Sequence, residues 1–535
     1  MKKLFFFAAA ALFAMGINAA ELNIYASQLK SGEVTDGKVE ISYLLNAPAT
    51  ALELQILNAD NSVLSAIPLT DEALLTKGAH TATVDLSQIA DGTYAWAIKA
   101  VAAPTEAVVE VTDNSAEEYS FYLPQGLEVD KNPESAFFGQ IYVTESTNGA
   151  ADGGTATTKA TKQGIFIYDA LLTKLNADRL QGYTGNVTFA ENRQGPKRLA
   201  VAEDGMVFVC DNGAETSGVW MMDPANPAAD FKPVLDLSKR GTVFTTVSSL
   251  DVVGAGEQRV LYTMDGIGVD LGNAYAYAVG TAETPFAGEP VSVFDVKVIP
   301  MASTDNSIRF DGRDGFWIAQ HRWGDDAYKA LSHINAKGER DFASDKTLLP
   351  FTANISYRGM MNLNADKTML AIGSDKKGVV FSIAYDAETG APALTKLYET
   401  AALGNNIDGL AFDYAGNLYV ASASTERMYA FATPKADNSC VTPAAKKYAL
   451  ILSNGTTGLY NLDQCIAVSR NAGNIVVNAS VEVMACSIYN LAGQLMQTVQ
   501  PAANGFTVNV ANLNAGVYMM QINTVAGNKT YKFIK

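Results

Sequence analysis

Within ten residues, Trp317-Ile318-Ala319-Gln320-His321-Arg322-Trp323-Gly324-Asp325-Asp326 places two tryptophans, a histidine, an arginine and two adjacent carboxylates. An exposed indole stacks on the apolar face of a sugar ring, while Arg, His and Asp hydrogen-bond its hydroxyls. The competing reading is packing: Trp317 alternates with Ile318 and is then core, and Trp323 pins a loop. Trp323 and His321, joined by Arg358, are the ligand-binding candidates. Other chemistries lack their residues. His80, His321 and His333 are too scattered for a Ser/His/Asp triad, and His80 and His333 read as hydrogen-bonded strand residues. Asp325 and Asp326 are sequence neighbours on a loop, so they point apart into solvent. No CxxC or Cys/His spacing suggests zinc. Gly254-Ala255-Gly256 lacks the helix that a dinucleotide fingerprint requires, and no P-loop occurs.

The elements that must position these residues follow from composition. At roughly 150 residues per domain, a chain of 535 divides into three or four domains. With 48% hydrophobic and 18% charged residues, each can bury a core, which excludes a disordered chain. Acidic residues number 56 against 39 basic, a net charge of −17; without a basic face, nucleic acid is excluded as a partner. Met1-Lys2-Lys3, the apolar run Leu4–Ile17 and the small residues Asn18-Ala19-Ala20 form a cleavable secretory signal over 1–20. That run is too short to span a bilayer, and no later segment is long and apolar enough, so an exported, soluble protein is expected. Four cysteines in so long a chain make no disulfide framework. Cys440 and Cys465 bracket a linker and could pair; Cys210 and Cys486 read as buried thiols.

Periodicity divides the mature chain. Residues 21–123 alternate apolar and polar positions with turns every 8–12 residues, as in Val39–Leu44 and Leu52–Leu57, which predicts a β-sandwich. From 126 to 433 one pattern recurs six times: an Asp or Asn, a Gly-containing turn and an apolar strand. Asp204-Gly205, Asp311-Gly312 and Asp413-Tyr414-Ala415-Gly416 are examples. The spacing of about fifty residues is that of propeller blades. A degenerate copy in Val291–Pro300 would make seven. Residues 434–465 read as a Pro- and Ala-rich linker, and 466–535 as a small C-terminal β-sandwich.

Three resemblances attach to these blocks. The wording "ISYLLNAPA…LQILNADNSV…KGAHTATVDL…DGTYAWAIKA" resembles the Ig-like domain of flagellar-hook capping proteins, implying a spacer or docking module. The C-terminal "SIYNLAGQLMQ…VNVANLNAGVYMMQI…NKTYKFIK" closely resembles the sorting domain of Bacteroidetes type IX secretion cargo, although Arg470-Asn471-Ala472 replaces its usual Asn-Pro. It implies passage through the outer membrane and attachment or release at the surface. The propeller copies around Asn306–Ile318, Arg358–Leu370 and Asp408–Val420 resemble NHL-type repeats and gluconolactonase or regucalcin-type propellers. In the enzymes a divalent cation such as calcium polarises a lactone carbonyl. The resemblance implies a metal-ligand role for Asp408 and substrate contact for Asn306. It departs where Arg358 stands for a ligand Asn, and where Gly126–Asp130 replaces the acidic opening. The NHL comparison instead makes Asp408 and Asp413 turn caps.

The expectation is an all-β chain: Ig-like sandwich, six-bladed propeller and C-terminal sandwich. Its expected function is binding of a glycan or protein at the surface, without an organic cofactor. The alternatives are a metal-dependent lactonase or polysaccharide-acting enzyme, and a structural matrix protein.

Overall fold

The computed structural model describes residues 20–149, 159–235, 237, 246–265, 273–279, 292–295, 306–322, 329–350, 357–358, 360–374, 376–452, 466–471, 473–490, 493–501, 505–524 and 527–535. The expected signal, except Ala20, and Cys465 lie outside them. Among the described residues every regular element is a strand or a short 3-10 turn, so the chain is all-β. It divides into two compact units, the larger holding the bulk of residues 1–449 and the smaller built on Leu450–Lys535.

Apolar runs rich in Val, Ile, Phe and Tyr become strands buried on both faces; Gly164–Tyr168 and Leu418–Ser422 are buried throughout. Six antiparallel sheets form from them. Their innermost strands are Pro124–Val129, Leu199–Val201, Val247–Val253, Asn306–Phe310, Met361–Leu363 and Gly409–Phe412. Each inner strand contacts that of the next sheet, and the sixth returns to the first. This is a closed six-bladed propeller. Ser292–Asp295, within the stretch that suggested a seventh copy, is the outer strand of the third blade.

The recurring Asp–Gly signal works as a turn. The Asp413 carboxylate accepts the N–H groups of Ala415 and Asn417, each at 2.9 Å. Gly416 then turns the chain at φ 85°, where a side chain would be strained.

Two boundaries differ from the sequence expectation. Val109–Glu110, within 21–123, is the outer strand of the sixth blade and pairs with Phe431 and Ala432, so the chain entering the propeller closes the ring. Ser439–Pro443, within the expected linker, pairs with Gly92–Val101. It completes a sheet with Ala51–Leu57 and Val63–Pro68, while Ala26–Ser31, Lys38–Leu45 and Gly78–Asp85 form a second sheet. Sequence periodicity missed both because strands of two and five residues are too short to show it.

A buried polar seam binds the start of the chain to the sixth blade. The Asn23 N–H donates to Asn417 Oδ1 at 2.7 Å, Asn417 Nδ2 donates back to the Asn23 carbonyl at 2.9 Å, and Asn23 Nδ2 donates to the Thr433 carbonyl at 2.9 Å. Every amide is satisfied, so the seam is specific without stranding polar groups.

The smaller unit has two sheets. Ile466–Asn471, Asn474–Ala479 and Gly505–Asn509 form one; Leu495–Val499, Val483–Asn490, Val517–Thr524 and Gly527–Ile534 form the other. Alternation along Val517–Thr524 buries Tyr518, Met520 and Ile522 with Cys486 and Ile488. Cys210 and Cys486 are buried free thiols, and Cys440 is also free. Burial pushes all three up to about 11, which favours the thiol over the reactive thiolate.

Candidate functional site

Those sequence candidates that the structure describes lie where the inner strands begin. Asn306 opens the fourth inner strand, fully buried; its Oδ1 accepts the Ser248 hydroxyl at 2.8 Å while its Nδ2 has no partner. His321 is buried on the neighbouring Phe316–Arg322 strand, and Tyr357–Arg358 pairs with that strand so that His321 and Arg358 stand opposite each other. The fold thus brings together two residues 37 apart in sequence (358 minus 321). Trp323, Asp325 and Asp326 lie outside the described residues. Trp317 is core, packed at 4.8 Å from His333 and 5.5 Å from Phe342 between ring centres. His333 faces Asp311 at 3.0 Å and Asp341 at 2.6 Å, a hydrogen-bonded strand residue as expected.

Asp408, just before the sixth inner strand, is buried. Its Oδ1 accepts from Arg193 Nη1 at 3.1 Å and its Oδ2 from the Ala423 N–H at 2.8 Å. Both oxygens are thus engaged, one of them by a guanidinium. Among the described residues no group of three His, Cys, Asp or Glu side chains could hold a metal ion.

The opposite end of the channel holds an open cavity of about 430 Å³. Six equivalent triplets lead to it: Leu127-Glu128-Val129, Leu199-Ala200-Val201, Leu250-Asp251-Val252, Ile308-Arg309-Phe310, Met361-Asn362-Leu363 and Leu410-Ala411-Phe412. The flanking apolar residues pack between blades, as Leu127 and Val129 do in one inter-blade cluster. The central position is Glu, Ala, Asp, Arg, Asn or Ala in turn. Glu128, Asp251, Arg309 and Asn362 line the cavity with Lys131 and Lys367. Sequence reasoning missed these residues. Aligning the six copies by strand end would expose the variable central position.

Glu128 organises the floor. Its carboxylate accepts Lys131 Nζ at 2.6 Å, Asn362 Nδ2 at 2.8 Å, Arg309 Nη2 at 3.1 Å and the Val129 N–H at 3.1 Å. Burial works to raise this carboxyl, but Lys131 and Arg309 more than offset it and hold it below the usual carboxylate range. Arg309 also donates to the Leu250 carbonyl at 2.8 Å and the Ile308 carbonyl at 3.0 Å, so one guanidinium ties the first, third and fourth blades together across the channel. With all its lone pairs in use and its charge matched twice, Glu128 is unsuited to moving a proton. It fixes Lys131 and Asn362 in place.

The other acids are likewise internally satisfied. Asp251 accepts the N–H groups of Phe310 at 2.8 Å and Val252 at 3.0 Å; burial raises its carboxyl although Arg309 pulls the other way. Asp130 accepts the Ser135 hydroxyl at 2.5 Å and the Asn132 N–H at 3.0 Å. Burial pushes it up to about 7.

Residues 470–535 match the family model of the secretion system C-terminal sorting domain. Such a domain implies export to the cell surface or the extracellular space. No curated protein matches the chain. Among solved structures, a protein of unknown function from Bacteroides thetaiotaomicron aligns with TM-score 0.37 and 10% identity, over 76% of this chain and 98% of its own. PorZ, a surface component of the type IX secretion system of Porphyromonas gingivalis, aligns with TM-score 0.31 and 12% identity, over 95% of this chain and 74% of its own. The calcium-binding regucalcin of Agrobacterium tumefaciens aligns with TM-score 0.33 and 13% identity, over 61% of this chain and 92% of its own. The fold assignment rests on the ring of six sheets itself.

Proposed function

We propose that this protein is a non-catalytic binding propeller, carried to the cell surface or beyond by its sorting domain, that takes a saccharide-sized ligand in the axial cavity. The observation that carries this is the convergence of inner-strand ends on a cavity of about 430 Å³ whose lining includes Glu128, Lys131, Asp251, Arg309, Asn362 and Lys367. That is within the usual range of small-molecule sites, roughly 300–1,000 Å³. Its floor is preorganised: the Glu128 network fixes Lys131 and Asn362 before any ligand arrives, which reduces the ordering cost of binding. With four donors on it, Glu128 is not the free carboxylate that hydrolysis would use.

The test is calorimetry of the mature chain against a panel of mono- and disaccharides, with Ala365→Trp as the blocking variant. Ala365 is exposed at the cavity wall, so an indole there fills the space and leaves the Glu128 network alone. Binding should fall at least tenfold with an unchanged melting temperature. Equal affinity in wild type and Ala365→Trp would remove the ligand from this cavity.

A second reading seats the ligand at the other mouth, on His321 and Asn306. Its support is the unpartnered Asn306 Nδ2, a buried donor that a ligand or a water would satisfy. Asn306→Ala would then weaken binding, and Ala365→Trp would not.

A further inference from the structure

We infer that the ligand of the axial cavity carries a carboxylate, recognised by Lys131 and Lys367; this rests on the cavity being the binding site. The argument is an inventory of donors and acceptors, because a buried site selects the ligand that completes its unfilled hydrogen bonds. The acceptors of the floor already take donors from within the protein. Glu128 takes four donors, and Asp251 and Asp130 take backbone and hydroxyl donors as described above. The Oδ1 of Asn362 accepts Lys131 at 3.3 Å. Glu203 lines the cavity too, but it is exposed at the rim.

The donors are not spent. An ammonium has three N–H bonds; Lys131 uses two, on Glu128 and Asn362. Lys367 Nζ lies 4.8 Å from the centre of the Phe310 ring, and among the described residues it forms no ion pair with a carboxylate. The Arg309 Nε is buried without a partner. Lys131 and Arg309 share the single charge of Glu128. In a protein of net charge −17, these cationic side chains still have N–H bonds to offer. A compact carboxylate is the complementary group, with the Phe310 ring near Lys367 offering an apolar edge. Its source is either a sugar acid or a free organic acid.

The mature full-length chain is titrated calorimetrically with D-glucuronate, D-glucose and citrate at low and high salt, as wild type, Lys367→Met, Lys367→Arg and Ala365→Trp. D-Glucuronate should bind at least tenfold more tightly than D-glucose. High salt and Lys367→Met should each cut that preference to about twofold, and Lys367→Arg should restore it. Ala365→Trp should abolish binding. Citrate bound as tightly as glucuronate, and lost in Lys367→Met, supports the inference and makes a free organic acid the source. Glucose matching glucuronate, with both lost in Ala365→Trp, overturns the carboxylate and leaves the cavity reading standing. Glucuronate binding that survives Ala365→Trp overturns both. No heat from either acid also overturns the carboxylate, and the saccharide panel then judges the cavity alone. Melting curves of each variant separate lost binding from lost folding, since Lys367 sits half-buried on a turn.

Discussion

The two ends of the propeller channel are built from the same six strands and use charge in opposite ways. Where the strands begin, Asp408 is paired with Arg193 and a backbone N–H, so charge there closes the structure. Where they end, Glu128 is paired with two cations, and that pairing holds further donors open to a cavity. A carboxylate near a channel mouth therefore says little until its partners are known. At one mouth it is consumed by the fold, and at the other it organises space for something else.

The largest expected effect breaks the organised end. Glu128→Ala leaves Arg309 and Lys131 without their common anion inside the protein, and removing one partner of a buried pair costs about 3–5 kcal/mol. Chemical denaturation monitored at the propeller tryptophans should show it; a loss below about 1 kcal/mol would reduce the network to decoration.

Next comes pH. Burial raises Asp130 and Glu145 to about 7 and Asp413 to about 6, above an unfolded value near 4. Their neutral forms are favoured in the folded state, so their contribution is fully present below the unfolded pKa. It is lost as pH rises through 6 to 7. The melting temperature should be several degrees higher at pH 5 than at pH 8, and Asp130→Asn should flatten that slope. A melting temperature rising across this window would contradict the assignment.

A smaller effect tests the closed end. Asp408→Ala should cost about 1–2 kcal/mol, because a buried acceptor is lost while Arg193, 34% exposed, stays solvated. Calcium added to wild type or variant should give no binding heat in calorimetry. Tight calcium binding lost in Asp408→Ala would restore the metal-ligand role and merge the two mouths into one kind of site.

Much of this architecture is legible in the residues. The Asp–Gly turns announce the blades because the turn needs a side-chain acceptor and then a residue tolerant of positive φ, as Asp413 and Gly416 show. The alternation in Val517–Thr524 reveals a half-buried strand of the C-terminal unit for the same local reason. The closing strand Val109–Glu110 and the returning strand Ser439–Pro443 were not legible, since their partners lie hundreds of residues away and their own lengths carry no period. His321 and Arg358 were singled out by residue type, and only strand pairing shows that they are neighbours. Glu128, Arg309 and Asn362 look like isolated polar residues in apolar strands until the blades are superposed.

What the sequence determined by itself is therefore whatever depends on local periodicity and turn chemistry: an all-β chain, a run of propeller blades and a C-terminal sorting domain, while pairing of Ser292–Asp295 into the third blade decided six over seven. Tertiary structure alone decided which polar residues are partners. Glu128 meets residues 181 and 234 positions away, and closing a ring is what brings such distant residues within hydrogen-bond reach. Burial then fixes their charge states, and no window of sequence contains either fact.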